Sequence, residues 1–283
     1  MRIRATVAAL SGTLALSALA VPAAHADDAP KAPKLDAFVA QAPTAATAGN
    51  TKITKVTVNG GKDIVVGTTE KKKVTVSVTA TDPDGIKDAV GFLWHGSVFD
   101  PETPGSINGA IVPADSVEHA SCVKANATTS TCKVTVIADP KDNIYGNVLA
   151  GKWKVAVATL DGANKESFVD TYAHHSVKRA ARLTTNASPE PIKKGKTLTV
   201  TGALTRANWD TLKYAGYTKQ SVKLQYKKKG ASSYTTLKTV KSDTKGNLKT
   251  TVKASADGYF RYVFAGTSTT PSVTSTSDFV DVR

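Results

Sequence analysis

The chain has 283 residues, two cysteines and a formal net charge of +14 at pH 7. This length allows one or two folded domains. Beyond the N-terminus, no segment offers the roughly 20 strongly apolar residues that a membrane-spanning helix needs, which excludes a helical polytopic membrane protein.

The N-terminus has the three-part layout of a secretory signal peptide. Arg2 and Arg4 supply a basic start, an uncharged run of apolar and small residues follows, and a small-x-small sequence ends at Ala26. The run is too short and too rich in Ala, Ser and Thr to favour the alternative, an N-terminal anchor helix. We therefore predict a signal peptide over 1–26, a flexible segment rich in Ala, Pro and Thr over 27–50, and a secreted, extracellular protein.

Residues 51–178 contain short segments in which apolar and polar residues alternate. Segments 73–79 and 152–158 alternate strictly, which is typical of strands with one buried face, and Trp153 falls on the buried side. Further strands are predicted at 63–66, 89–94, 117–124, 133–137 and 166–171. Turns that contain Gly, Pro, Asp and Asn separate these segments, and no long amphipathic helix occurs, so this part is predicted to be an all-β domain.

Cys122 and Cys132 are separated by nine residues that read as a strand end, a turn and a strand start. An isolated close pair of cysteines in an exported chain is normally a disulfide, so we predict that these two are bonded to each other. The bridge would close a short loop across a hairpin and act as a structural staple.

The second half, residues 179–283, repeats the alternation and carries nearly all of the net charge. Strands are predicted at 196–202, 221–227, 235–240, 247–253, 259–264 and 275–282. This half contains 19 Lys and Arg against 6 Asp and Glu, a net charge of +13, whereas residues 27–178 contain 16 against 17. The polar and basic residues 174–181 predict a linker, with the domain boundary after Lys178. The charge asymmetry indicates a second domain that meets an anionic partner.

Several segments resemble known modules. In the first half, the turn ATDPDGI at 80–86 and the segments GKW at 151–153 and DGAN at 161–164 resemble bacterial immunoglobulin-like modules. In the second half, KKGK at 193–196 and ADGYFR at 256–261 resemble related modules in exported proteins of high-GC Gram-positive bacteria. The whole layout is similar to small secreted two-domain proteins of that group, some of which carry the loose name calcium-binding protein. The resemblance implies two immunoglobulin-like β-sandwiches in tandem and brings no catalytic motif.

Four aspartates form a candidate calcium site: Asp82, Asp84, Asp88 and Asp161. The first three lie within seven residues around a Pro and a Gly, and the fourth lies in another turn that could reach the same end of the sandwich. Ca²⁺ takes six to eight oxygen ligands, several of them anionic, which carboxylates supply. The alternative is turn chemistry alone, because Pro fixes φ and Asp bonds to its own backbone. The sequence implies no other cofactor.

Five lysines of the second half form a candidate surface for an anionic partner: Lys219, Lys223, Lys227, Lys249 and Lys253. The alternation predicts that such lysines lie on the solvent side of strands, where they would attract an anionic cell-wall polymer, an acidic polysaccharide or an extracellular protein. The excess of Lys over Arg and the lack of an aromatic stacking series disfavour nucleic acid. The alternative is that these lysines protect edge strands and keep the protein soluble.

Enzyme motifs are lacking: the sequence has no Gly-x-Ser-x-Gly, no His-Glu-x-x-His and no phosphate-binding loop. Trp209, in the polar segment RANWD, is not assigned to the core by alternation and is a candidate exposed residue. We predict a non-catalytic binding or structural module that associates electrostatically with the cell envelope or another anionic extracellular partner. The alternatives are a calcium-binding interaction protein and an enzyme on a β scaffold. The sequence defines no oligomeric state.

Overall fold

A computed structural model describes residues 50–113 and 120–283 of the chain. In these ranges the regular structure is almost entirely β-strand, and helix is limited to two single 3₁₀ turns, Asn59–Gly61 and Asn147–Leu149. The described residues contain no helix that is both long and apolar enough to cross a membrane. The prediction of an all-β protein is confirmed.

The predicted signal peptide, 1–26, and residues 27–49 of the predicted flexible segment lie outside the described residues, as do 117–119 of one predicted strand. Export and the extracellular location therefore stay predictions.

The first half is a sandwich of two sheets. Its strands, in the described part of the chain, are β1 (Lys52–Val58), β2 (Ile64–Val66), β3 (Lys72–Thr81), β4 (Ile86–Gly96), β5 (Ile107–Ile111), β6 (Ser121–Lys124), β7 (Thr129–Ala138), β8 (Gly151–Asp161) and β9 (Glu166–Arg179). One sheet has the order β1-β3-β7-β6 and the other has the order β2-β9-β8-β4-β5. Neighbouring strands are antiparallel except β2 and β9, which are parallel.

Alternation decides which side chains fill the space between these two sheets. In β3, Val74, Val76 and Val78 are buried, while the residues between them are exposed or half-buried. These valines belong to one hydrophobic core with Trp153 of β8, whose indole N–H donates to the Leu149 carbonyl at 2.7 Å. Full burial of a valine contributes about 1.5–3 kcal/mol, so this alternation is a main source of stability. The prediction that Trp153 is a core residue is confirmed.

The second half is also a two-sheet sandwich. Its strands are β10 (Ala181–Leu183), β11 (Asn186–Ser188), β12 (Thr197–Asn208), β13 (Lys213–Gly216), β14 (Ser221–Lys228), β15 (Thr235–Lys241), β16 (Asn247–Lys253), β17 (Gly258–Phe264), β18 (Val273–Thr274) and β19 (Asp278–Val280). β12 pairs with β10, β11, β13 and β16 in one sheet, and the other sheet runs β15-β14-β17, with β18 and β19 both paired to β17. The predicted architecture, two β-sandwiches in tandem, is confirmed.

Tyr262 links the two sheets of the second sandwich. Its side chain on β17 is fully buried, and its hydroxyl donates to the Val200 carbonyl of β12 at 3.0 Å. Burial raises the pKa of Tyr262 to about 12, so the hydroxyl remains a neutral donor at physiological pH. The buried Tyr262 hydroxyl thus has a hydrogen-bond partner, and this bond connects the two sheets.

The segment predicted to be a linker, 174–181, is mostly strand instead. Only Ala180 separates β9 from β10. Val177 is buried, and Lys178 Nζ lies 2.7 Å from a carboxylate oxygen of Asp63. The linker prediction is wrong because these polar residues belong to a strand that pairs with β8 on one side and β2 on the other. The domain boundary after Lys178 stays a prediction.

Trp209 also differs from its interpretation as an exposed residue. It follows β12 in the second sandwich, yet only 1% of it is exposed, and it belongs to the hydrophobic core of the first sandwich. Its indole N–H donates to the Gly67 carbonyl at 2.9 Å. Its polar neighbours mislead because they bond to Asn147 across the junction, although Asp210 also remains exposed. The Asn147 side-chain amide donates to Asn208 at 2.8 Å, and the Asn147 backbone N–H donates to Asp210 at 3.0 Å.

Arg179, the last residue of β9, is buried at the same junction. Its Nε–H donates to the Ala207 carbonyl at 2.6 Å, and its backbone N–H donates to the Thr269 carbonyl at 2.9 Å. Burial, reinforced by the charge of Arg206, lowers the pKa of Arg179 to about 10, so the guanidinium stays charged at neutral pH. The junction of the two sandwiches is therefore held by buried hydrogen bonds as well as by Trp209.

We predict that Trp209→Ala lowers the free energy of unfolding by about 3–5 kcal/mol, because it empties a buried site and leaves the Gly67 carbonyl without its donor. Urea unfolding of the intact protein measures the change. Tyr172→Ala is a matched control, since 37% of Tyr172 is exposed, and its loss should stay near about 1 kcal/mol. Equal losses in the two variants would show that the junction is not a packed core.

Candidate functional site

Three of the predicted calcium ligands come together at one end of the first sandwich. Asp82 follows β3, Asp84 lies in the turn before β4, and Asp161 ends β8. β4 pairs with β8 so that Ile86 lies opposite Asp161, which brings the two turns side by side. One ligand oxygen from each carboxylate lies within 4.8 Å of the others. We call Asp82, Asp84 and Asp161 the acidic cluster.

Backbone hydrogen bonds hold the acidic cluster in place. In the first turn, the Asp84 N–H donates to Asp82 Oδ1 at 2.9 Å, and Gly85 adopts φ of 82°, which favours glycine. In the second turn, the Lys165 N–H donates to Asp161 Oδ1 at 2.7 Å. Turn chemistry, the alternative interpretation of this motif, therefore accounts for part of what these carboxylates do.

The acidic cluster concentrates negative charge where water is limited. Asp82 and Asp161 are only 2% and 1% exposed, whereas Asp84 is exposed. Among the residues that the structure describes, none of the three carboxylates forms an ion pair with Lys or Arg. Carboxylates grouped in this way suit a hard cation such as Ca²⁺, for which carbonyl oxygens or water would complete the ligand set.

Asp88, the fourth predicted ligand, does not join the acidic cluster. The pairing of β4 with β8 shifts register between Ile86 and Asp88. Asp88 lies instead beside the disulfide, with Oδ1 3.9 Å from Cys122 Sγ, and it accepts the Ala89 N–H at 2.7 Å. The structure therefore gathers three of the four predicted aspartates.

Cys122 and Cys132 form the predicted disulfide. They lie directly opposite each other in the antiparallel strands β6 and β7. Cys132 is fully buried in the core of the first sandwich. The bond therefore fastens the edge strand β6 to the rest of its sheet and serves as a staple.

The five candidate lysines are divided between the two sheets of the second sandwich. Lys223 and Lys227 lie on β14, whereas Lys249 and Lys253 lie on β16, which pairs with β12 in the other sheet. Lys219 lies before β14 and adopts φ of 58°. All but the half-buried Lys227 are exposed, yet the five do not form one sheet face. They distribute positive charge over both outer sides of the sandwich.

A group of half-buried rings and cations lies around Lys227, which is the one member that the sequence singles out. We call Tyr234, Tyr259, Phe279, Lys227 and Arg261 the aromatic face. The Lys227 ammonium lies 5.1 Å from the ring centre of Tyr234 and 5.2 Å from that of Tyr259. The Arg261 guanidinium lies 3.6 Å from the ring centre of Tyr234, and the rings of Tyr259 and Phe279 are 5.1 Å apart.

The alternation along β17 predicts that two members of the aromatic face, Tyr259 and Arg261, lie on the outer side of the sheet. Phe260, Tyr262 and Phe264 are buried, so the residues between them must point outward. Strand pairing brings in two further members, since β14 places Lys227 and β19 places Phe279 opposite Tyr259. Tyr234 lies just before β15, which pairs with β14. No local pattern predicts that placement.

A polar cavity of about 300 Å³ lies where the two sandwiches meet. Residues 67–72 line it from the first sandwich, and Arg182 and Tyr214 line it from the second, with the guanidinium 3.6 Å from the ring centre. Its lining places Glu70 next to Lys71 and Lys72. Because charges of both signs are present, the cavity does not single out a class of ligand.

Comparison with known proteins adds one family and several distant likenesses. A family model described as "Family of unknown function (DUF5707)" matches residues 64–159, which lie in the first sandwich. Comparison with curated proteins finds no match.

The solved structures that match this chain share few identical residues with it. The fibronectin(III)-like modules of Clostridium thermocellum CbhA are 11% identical, with 81% of this chain and 93% of that chain covered and a TM-score of 0.31. The D00-D0 domain of intimin is 12% identical, with 80% and 99% covered and a TM-score of 0.25. The amphioxus IgVJ-C2 molecule is 8% identical, with 76% and 98% covered and a TM-score of 0.26. Likenesses at this level carry no argument about function.

We predict that the Cys122→Ser, Cys132→Ser double variant loses roughly 2–3 kcal/mol of unfolding free energy, because the bond closes a short loop and restricts the unfolded chain. Urea unfolding under oxidising conditions measures the loss. A reductant should lower the stability of the wild-type protein by a similar amount and leave the double variant unchanged. A variant as stable as the oxidised wild type would remove the staple role.

Proposed function

We propose that this protein is a non-catalytic binding module that works outside the cell and attaches electrostatically to an anionic partner at the cell envelope. The observation that carries the proposal is the division of charge, a net +13 in residues 179–283 against −1 in residues 27–178. The extracellular location rests on the predicted signal peptide. An immunoglobulin-like sandwich suits the role because its rigid sheets present side chains on fixed outer surfaces.

The cations of the second sandwich are mostly available to a partner. In the described part of this sandwich, the ion pairs are Lys229 with Asp257 at 3.4 Å and Arg283 with Asp281 at 3.0 Å. Exposed cations without acidic partners create a positive potential that attracts polyanions and accelerates their association.

One lysine illustrates the structural alternative. Lys238 on the edge strand β15 donates to the Thr251 carbonyl of β16 at 2.7 Å. A lysine in this place protects an edge strand, as the solubility interpretation requires. The enzyme hypothesis gains no specific observation from the residues described.

We predict that the intact protein sediments with isolated Gram-positive cell walls at low salt and is released as salt rises, because the Debye length falls from about 10 Å at 0.1 M to about 3 Å at 1 M. Replacing four lysines of the second sandwich by Gln lowers its net charge from +13 to +9 and should release the protein at lower salt: Lys223, Lys227, Lys249 and Lys253.

The matched control removes four exposed lysines from the first sandwich: Lys52, Lys55, Lys73 and Lys133. It makes the same change in total charge and should shift the release point less. Binding that ignores ionic strength would defeat the electrostatic proposal, and equal shifts in the two variants would defeat the role of the second sandwich.

A second candidate function, a calcium-dependent interaction, is favoured by the acidic cluster. Two buried carboxylates and one exposed carboxylate share a small region without a Lys or Arg ion pair among the described residues. Like charges in such a place repel each other unless a cation or protons compensate them. Asp82, Asp84 and Asp161 would then supply the anionic ligands, without Asp88.

We predict for this candidate that Ca²⁺ at 100 times its dissociation constant stabilises the protein by about 2.7 kcal/mol relative to chelator. The melting temperature should rise by roughly 5–11 °C, because each kcal/mol shifts it by about 2–4 °C in a folded chain of this size. Asp161→Asn keeps an acceptor for the Lys165 N–H and should abolish the rise, whereas Asp88→Asn is the control and should keep it. Equal melting temperatures of the wild type in Ca²⁺ and in chelator would show that the acidic cluster binds no Ca²⁺ and that its aspartates only stabilise the turns.

A further inference from the structure

The aromatic face is an unusual outer surface for a sheet. The outer side of an antiparallel sheet is normally polar, because the apolar residues of the alternation fill the core. Here Tyr226 and Phe260 already supply rings to the core, with ring centres 4.9 Å apart. Tyr259 and Phe279 form a second ring pair on the opposite side of the same sheet and leave aromatic area in contact with water. The part of each ring that stays open to water is available for contact with a partner.

The cations of the aromatic face are held but not neutralised. Among the described residues, neither Lys227 nor Arg261 forms an ion pair with a carboxylate. The Arg261 Nε–H donates to Gln225 Oε1 at 2.9 Å, which fixes the guanidinium over the Tyr234 ring. The Tyr234 ring is itself anchored, since its hydroxyl lies 2.6 Å from the Ser277 hydroxyl. The rings and charges are therefore positioned before any partner arrives.

We propose that the aromatic face binds an acidic polysaccharide whose pyranose rings carry carboxylates. The apolar face of a pyranose ring would lie on an aromatic ring, Tyr259 or Tyr234. The ligand carboxylate would accept hydrogen bonds from the Arg261 guanidinium and the Lys227 ammonium, which form strong charge-assisted pairs. This inference rests on the proposed function and specifies its site and its class of partner.

A single-stranded nucleic acid also combines rings with negative charge, but the observations favour a glycan. Bases stack successively along a positively charged groove, whereas here the neighbouring rings of Tyr259 and Phe279 are tilted by 53° and do not form a series of parallel stacking surfaces. Lys outnumbers Arg by 14 to 5 in residues 179–283. The predicted export also places the protein among extracellular polysaccharides.

The experiment measures binding of the intact protein to four polymers at one salt concentration. Polygalacturonate carries both pyranose rings and carboxylates, and its fully methyl-esterified form keeps the rings without the charge. Polyglutamate carries the charge without the rings, and poly(dT) represents nucleic acid. We expect polygalacturonate to bind most tightly.

The variants separate the ring contribution from the charge contribution. Tyr234→Ala and Tyr259→Ala should each weaken polygalacturonate binding by about tenfold and leave polyglutamate binding unchanged. Tyr259 lies on the central strand β17, whereas Tyr234 lies outside the strands, just before β15. If Tyr259→Ala fails to fold, Tyr234→Ala still tests the ring contribution. The double variant Lys249→Gln, Lys253→Gln is the matched control on the other sheet. It should weaken the binding of polygalacturonate and of polyglutamate by the same factor.

The outcomes distinguish this inference from the proposed function. If the wild-type protein binds polygalacturonate and polyglutamate equally and the tyrosine variants change neither, the aromatic face has no role, while electrostatic attachment stands. If neither polyanion binds, the proposed function fails as well. Tyrosine-dependent binding that is strongest for poly(dT) would overturn the glycan in favour of nucleic acid.

Discussion

The burial of Trp209 ties the second sandwich to the core of the first, and the rest of the structure is arranged around that contact. The indole fills a place between residues of the first sandwich, and its N–H is satisfied by the Gly67 carbonyl. An aromatic side chain of this size buries a large apolar area, so separating the sandwiches would expose it to water. The acidic cluster of the first sandwich and the aromatic face of the second therefore belong to one connected structure.

Much of the fold could be predicted because it depends on local patterns. Alternation identified β3 and β8, since a strand with one buried face repeats every two residues. It also placed Val74, Val76 and Trp153 in the core. The close spacing of Cys122 and Cys132 predicted their bond, because a hairpin brings residues at such a spacing together.

The remaining features depend on contacts between distant parts of the chain. Asp82 meets Asp161 because β4 pairs with β8, whereas Asp88 follows a register shift in that pairing and lies beside the disulfide. Trp209 appeared exposed because its neighbours Asn208 and Asp210 are polar, although both are hydrogen-bonded to Asn147 across the junction. The basic stretch before β10 resembled a linker because composition does not reveal that a strand is paired on both of its edges.

The one-residue connection between β9 and β10 has a consequence for digestion by proteases. The Ala180 N–H donates to the Val66 carbonyl at 2.8 Å, and the Ala180 carbonyl accepts the Ala207 N–H at 2.8 Å. A protease needs backbone that can leave its hydrogen bonds and extend into the enzyme's cleft, and linkers between domains usually provide it. This joint offers no such stretch, so cutting the sandwiches apart would first require the folded structure to open. For a protein that meets secreted proteases, a paired joint would be a form of protection.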